Sequence, residues 1–221
     1  MIDSLAALRR LYPQASARSR AKQRDGLDET MRRFIAHAPL CVLASAGQDG
    51  ALPDASPRGG LPGFVQALDA HTLLIPDATG NNRLDTLENL VLDPRLGVLF
   101  LVPGVHEVLR VNGMARLRDE PEFTARFVTA TAPKPPRLVI ELAVREAYLH
   151  CPKALMRAQP WAAQARVAPG TFPSMNAMLR AQLGSAIVTE SDAEALARYR
   201  AQLADEGLAH HVPEPTGSPS A

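Results

Sequence analysis

The chain has 221 residues, 46% hydrophobic and 21% charged, which is enough for one sizeable core or for one domain with an appendage. A formal net charge of +1 provides no global field to attract nucleic acid or an anionic membrane surface, so neither is expected as a partner. With two cysteines in no pairing pattern, no signal-like start and no apolar run of spanning length, a reducing, cytoplasmic location is expected.

In chain order, residues 1–37 read as an N-terminal helical segment. "IDSLAALRRLY" sets Ile2, Leu5, Leu8 and Leu11 near one face, with Asp3 or Ser4 as cap and Pro13 as stop. "SRAKQRDGLDETMRRFIAHAP" predicts a second amphipathic helix, broken at Gly26 and ending at Pro39. Residues 38–165 change to strand patterns. "LCVLAS" and the run into "ALPDAS" form a hairpin about Asp49 and Gly50, and "FVQALD" pairs with "TLLIP" through a turn near Ala70 and His71. "NRLDTLENLVLD" is a helix stopped by Pro94, and "RLGVLFLVP" is a short apolar strand expected to be buried on both faces.

"EVLRVNGMARLRD" alternates: Leu109, Val111, Ala115 and Leu117 face one way, and Val108, Arg110, Asn112, Met114 and Arg116 the other. "PEFTARFVTA" reads as a short helix and "RLVIELAVREAYLHC" as a long strand. Helices inserted between tight hairpins indicate an α+β fold, mainly antiparallel β and barrel-like, rather than a doubly wound parallel sheet. "PKALMRA" and residues 166–210 read as a C-terminal helical extension, its last helix capped by Ser191 or Asp192, and residues 211–221 as a disordered tail. Cys41 and Cys151 both lie in strand-like runs and are expected as buried thiols. His150 and Cys151, adjacent on one strand, would point to opposite faces and cannot form a catalytic pair. The six scattered histidines offer no metal-ligand spacing, so no metal is expected.

Two stretches carry chemistry. In "IPDATGNNRLDTL", Gly80 and Asn81 suit an unusual backbone, Asn82 suits a helix cap with Asp85 in the capping-box position, and Arg83 falls in the first helical turn. A guanidinium opposes the helix dipole there, unless an oxyanion shares the free amides; the bland reading is a capped helix with a solvated arginine. In "DASPRGGLPGFV", Ser56 ends a strand, Pro57 withholds a ladder donor, and Arg58 and Gly59 follow. Taken singly this is a surface turn. In a small barrel the two strand ends meet at one rim, where Arg58 and Arg83 would converge on one anion.

The ordered motifs "SPRGGLPGFV", "IPDATGNNR", "LFLVPG" and "LRVNG" resemble those of the FMN-binding split-barrel proteins related to pyridoxamine 5'-phosphate oxidase, over roughly residues 30 to 165. The resemblance implies an FMN-binding split β-barrel, residues 38–165, with flanking N- and C-terminal helices. It implies a homodimer with FMN at the interface. The phosphate would fall to Asn81, Asn82 and Arg83, and the ring to Ser56, Pro57, Arg58 and Gly59. The strand-end backbone at Ile75 and Pro76 would line the cofactor, with Arg110 a further candidate. In "HCPKALMRAQPW", Arg157 would reach FMN from the partner subunit, and Trp161 would stack near the ring, seal the interface or simply anchor the core.

The chain departs from the pattern at Gly60, where relatives carry aspartate, and before "LRVNG", where it has His106, Glu107 and Val108. The Arg-Leu-His pattern of vitamin B6 oxidation is not visible, so that reaction is not expected, and no catalytic residue is identified. The function implied is an FMN-dependent oxidoreductase with NAD(P)H or another small electron donor. The alternative is a flavin-binding carrier, sensor or stress-related protein without turnover.

Overall fold

The computed structural model describes residues 1–48, 50–184 and 186–208. Three helices lead: α1 (Leu5–Leu11), α2 (Ala17–Ala21) and α3 (Glu29–His37). Ser4, not Asp3, caps α1, accepting from the Ala7 N–H at 3.2 Å. The leucine stripe of α1 is not core here, since Leu5 and Leu11 are 79% and 64% exposed. The second predicted helix is two. Between them the chain runs extended, and Arg24 and Ala147 exchange backbone hydrogen bonds of 3.0 and 2.8 Å. Gly26 lies within this break, where a Cβ would come within 2.7 Å of the His71 ring. Helix α3 restarts on the Asp28 carboxylate, which accepts from the Met31 N–H, and sends Met31 and Ile35 into the core.

Seven strands follow: β1 (Leu40–Ala46), β2 (Pro53–Gly59), β3 (Gln66–Ala67), β4 (Thr72–Pro76), β5 (Arg95–Leu101), β6 (Leu109–Arg118) and β7 (Val139–Leu149). They form one antiparallel sheet in the order β2-β1-β5-β6-β7-β4-β3. Helix α4 (Asp85–Leu92) is inserted after β4 and α5 (Pro121–Thr124) after β6; α6 (Lys153–Ala158), α7 (Met175–Leu183) and α8 (Asp192–Asp205) follow the sheet. Ile35, Leu43, Ile75, Leu90, Phe100, Val111 and Leu142, from two helices and five strands, share one buried cluster. A sheet whose distant strands share one core must curl around it. The fold is thus the expected α+β split barrel with flanking helices.

Several local expectations are corrected. β2 does not stop at Ser56 but continues through Pro57 to Gly59; it is an edge strand, where proline is tolerated. "FVQALD" contributes only the two residues of β3. β5 buries one face, with Leu96, Val98 and Phe100 inside and Leu99 and Leu101 half-exposed. β7 ends at Leu149, so His150 and Cys151 follow the strand rather than lie on it. Cys151 is exposed and only Cys41 is buried. Gly50 has the positive φ of 77° that its turn requires, whereas Asp49 and the tail 211–221 lie outside the described residues. No helix among the described residues is long and apolar enough to cross a membrane.

Burial pushes the Cys41 thiol up to about 12, despite the opposing Arg58 guanidinium. A thiol reagent at pH 8 should therefore modify one cysteine per folded chain, Cys151, and two after denaturation. Mass spectrometry of the labelled peptides checks this.

Candidate functional site

Alternation along β2 puts Asp54, Ser56 and Arg58 on one face, opposite Ser45, Leu43 and Cys41 of β1. Asp54 Oδ2 accepts from the Ser56 hydroxyl at 2.8 Å and from the buried Thr86 hydroxyl at 2.7 Å. Thr86 lies in the first turn of α4, and one turn on, Asn89 donates to the Ser45 hydroxyl at 3.1 Å. These bonds stitch the edge of the sheet to the start of the helix. The Asp54 carboxyl is held below its usual range by the Thr86 hydroxyl first, then by Ser56 and Arg58, against partial burial.

The loop after β4 departs from expectation. Asn82, not Gly80 or Asn81, adopts the left-handed conformation, with φ of 59°. That conformation is incompatible with the extended backbone of an N-cap, so Asn82 does not cap α4. The Asn81 carboxamide oxygen instead accepts from the Arg83 N–H at 3.0 Å, and the helix starts two residues later, at Asp85. Arg83 precedes the helix, with its side chain 77% exposed and its Nε 2.6 Å from Asp85 Oδ2. Leu84 takes the cap position and provides no side-chain acceptor, so the first-turn amides of α4 lack a side-chain cap.

Asp77, at the head of this loop, donates its N–H to Leu138 O at 3.0 Å. Burial raises its carboxyl above the ordinary range, partly opposed by Arg58, the Ala78 backbone and Arg137. A carboxyl raised in the folded state binds its proton more tightly there than in the unfolded chain. Its ionisation therefore costs stability as pH rises from the ordinary aspartate value through the folded value. Asp77→Asn should consequently gain stability relative to the parent at pH 7, and gain less or nothing at pH 3.5. Paired urea melts at the two pH values test this sign.

Arg58 acts on both Asp54 and Asp77, and Asp54 in turn acts on Arg83. Four strands separate β2 from β4, so a flat sheet would hold them about 24 Å apart. Curling of the sheet around its shared core is what lets the charge of Arg58 in "SPRGG" act on Asp77 in "IPDATGNNR". They do not meet as neighbouring strand ends on one rim. Gly59 ends β2 opposite Leu40, towards the Leu109–Leu149 end of the sheet, whereas Pro76 ends β4 opposite Val139 at the other. Ile75 is fully buried and offers only backbone to a ligand, while Pro76 is half-exposed. Asn81 and Asn82 are exposed beside Arg83, and Pro57 and Gly59 are exposed on the reverse face of β2.

The other predicted residues stand apart within one chain. Register aligns Arg110, Leu99, Val42 and Pro57 in a row, which places Arg110 on the face opposite Arg58. Its guanidinium donates to the Tyr148 hydroxyl at 3.2 Å. Next to Tyr148, at 5.0 Å between ring centroids, the His150 Nε2 is shielded and has no partner among the described residues. Burial, then Arg110 and Lys22, lower the His150 pKa and so favour the neutral ring. Trp161 donates to Val105 O at 3.1 Å, in a cleft with Gly104, His106 and Gln159 rather than with β2 or α4. Arg157 is exposed on α6. Asp54, Thr86 and Asp77 were not anticipated as site residues. The two-residue alternation of "DASPR" was the available signal for Asp54.

Comparison with curated proteins gave no match. Among solved structures the chain is similar to HupZ of Group A Streptococcus, with 15% identity over 56% of this chain and 93% of that one and a TM-score of 0.46. It is also similar to general stress protein 26 from Bacillus anthracis strain Sterne, at 15% identity, coverage of 53% and 88%, and a TM-score of 0.40. A third is a pyridoxamine 5'-phosphate oxidase-related, FMN binding protein from Nostoc punctiforme PCC 73102, at 15% identity, coverage of 52% and 74%, and a TM-score of 0.37. The sequence profile described as pyridoxamine 5'-phosphate oxidase matches residues 27–151, from just before α3 to just beyond β7. That span is more than half of the chain, which therefore belongs to the pyridoxamine 5'-phosphate oxidase family.

Proposed function

We propose that this chain is an FMN-binding flavoprotein, and that Arg58, Asn81, Asn82, Arg83 and the uncapped start of α4 hold the cofactor's phosphate. The observation that carries the reading is the hydrogen-bonded seam that joins β2 to the uncapped start of α4 through Asp54 and Thr86, with Arg58 on the strand side and Arg83 on the helix side. The donor set fits. An exposed arginine–aspartate pair in water is weak and screened, whereas a guanidinium fork on a phosphate is charge-assisted and bidentate. Arg83 therefore exchanges Asp85 for a phosphate readily. Family membership supports the same ligand.

A homodimer accounts for what one chain leaves unfinished. Val42, Leu99 and Leu101 are half-exposed and Met114 is 39% exposed on the outer sheet face, beside Arg110. A second copy on this face would remove that apolar surface from water and bring Arg110 towards the partner's cofactor. FMN, when bound, would supply the redox chemistry of an oxidoreductase using NAD(P)H or another small donor. The chain's own part is to bind, orient and neutralise.

The cluster around Arg58 favours a second reading as well. Of its titratable groups, the depressed Asp54 carboxyl is a poor proton donor and the buried, raised Cys41 thiol a poor base or nucleophile near neutral pH, which leaves only the raised Asp77 carboxyl. That suits a carrier or sensor without turnover, located in the cytoplasm as the oxidoreductase would be. Absorbance of the purified protein and FMN titration test the cofactor, and anaerobic addition of NADH or NADPH separates the readings. Bleaching of the flavin band is expected for the oxidoreductase, and a persistent band with every donor for the carrier. Absence of FMN binding removes both.

A further inference from the structure

The last two helices form a unit of their own. Ser174 donates to Asp192 at 2.9 Å, Asn176 and Arg180 donate to the Glu190 carbonyl at 3.1 and 2.6 Å, and Arg198 grips the Glu190 carboxylate with two bonds of 2.9 and 2.8 Å. Little of this pair is core, for only Asn176 and Ala195 of α7 and α8 are buried. Among the described residues, two side-chain bonds join it to the barrel, and both lie at the end of α8. Glu206 accepts from the Thr79 N–H at 2.8 Å, and Lys134 donates to Asp205 at 3.0 Å. Gly207, with φ of 76°, lies so close to Thr131 that a Cβ would fall 2.8 Å from its carbonyl oxygen.

Thr79 belongs to the loop that also carries Asn81, Asn82 and Arg83. A carboxylate therefore occupies a backbone donor two residues before the segment assigned above to a phosphate. A second anion brought to that loop is repelled by Glu206. Because the C-terminal pair is held by exposed polar contacts and little apolar burial, its release costs little.

We propose that Glu206 is an anionic strap on the 77–84 loop, which the phosphate end of a bound flavin displaces, so that FMN binding and docking of α7 and α8 oppose each other. This rests on the flavin reading above. The strap weakens binding of a phosphorylated flavin and leaves an unphosphorylated one untouched. By reciprocity, FMN loosens the C-terminal pair by the same factor.

The tether is tested first without any flavin. Hydrogen exchange at the Thr79 amide should be slower in the parent than in Glu206→Ala, and equal rates overturn the strap. Glu206→Gln keeps an acceptor for Thr79 but removes the charge. It should raise FMN affinity about fivefold and leave riboflavin affinity unchanged. FMN, but not riboflavin, should hasten tryptic cleavage at Arg198 and Arg200 in the parent. Unchanged FMN affinity in Glu206→Gln, or an equal rise for riboflavin, overturns the competition. If neither protein binds FMN while the Thr79 rates still differ, the flavin reading falls and takes the competition with it, leaving a structural tether only.

Discussion

Replacing Gly113 with alanine destabilises the fold by about 3 kcal/mol or more, an effect at the upper end of overpacking. Gly113 lies in the middle of β6, paired with Leu96 on one side and Val144 on the other. Register shifts beside it: Asn112 pairs with Glu146, but Gly113 pairs with Val144, so Arg145 is the extra residue of a bulge. The bulge draws the β7 backbone in. A Cβ on Gly113 would stand 2.2 Å from the Ala143 carbonyl oxygen and 2.9 Å from Leu142 Cδ1. Backbone held in a central ladder cannot step aside as a surface side chain can, so relief requires β6 and β7 to separate locally. For a chain of this size the melting midpoint should fall by about 10 °C. Gly80→Ala is the control, since a Cβ there meets nothing within 4 Å and the residue does not have positive φ. It should stay within about 0.5 kcal/mol of the parent. Equal midpoints for the two variants would show that the bulge relaxes freely.

The "LRVNG" motif drew attention as a family mark, yet the physical reason for its glycine is a contact made by a strand about thirty residues away. This is the general division between what was and was not legible. Alternation in β6, the antiparallel hairpins, the cap of the last helix and the presence of α4 follow from periods and turn residues close in sequence. Pro57 in β2 was misread because its tolerance depends on β2 being an edge, which only the strand order decides. The start of α4 was misread because Asn81 and Asn82 compete for one role. A carboxamide bond from Asn81 to the Arg83 amide diverts the chain through a left-handed Asn82 before the helix begins. Gly60, notable for the aspartate it replaces, packs against Phe64 so closely that a Cβ would fall 2.7 Å from it. At the site, both arginines were visible as residues, but their acidic neighbours were not. Arg58 acts on Asp77 only because the sheet curls, and Glu206 reaches Thr79 across more than half the chain.

Those neighbours decide the ranking of the site variants. Arg58 is a half-buried cation whose charge lowers the carboxyls of both Asp54 and Asp77. In Arg58→Ala the phosphate would lose a guanidinium and also face two carboxylates no longer masked by it. The loss of FMN affinity should thus combine lost attraction with exposed repulsion, about thirtyfold or more. Arg83→Ala should cost less, because Arg83 is exposed and screened by water, and the carboxylate its removal chiefly frees, Asp85, is itself partly exposed. Arg58→Lys should recover part of the loss, retaining charge but not the planar fork. Adding Asp77→Asn to Arg58→Ala should also recover part, since it removes one repelling charge without restoring any donor. Quenching of flavin fluorescence on titration reads all four affinities, and circular dichroism verifies that each variant is folded. An Arg58→Ala protein that binds FMN like the parent would move the phosphate away from the seam between β2 and α4. The face carrying Arg110 and Tyr148 would then be where to look.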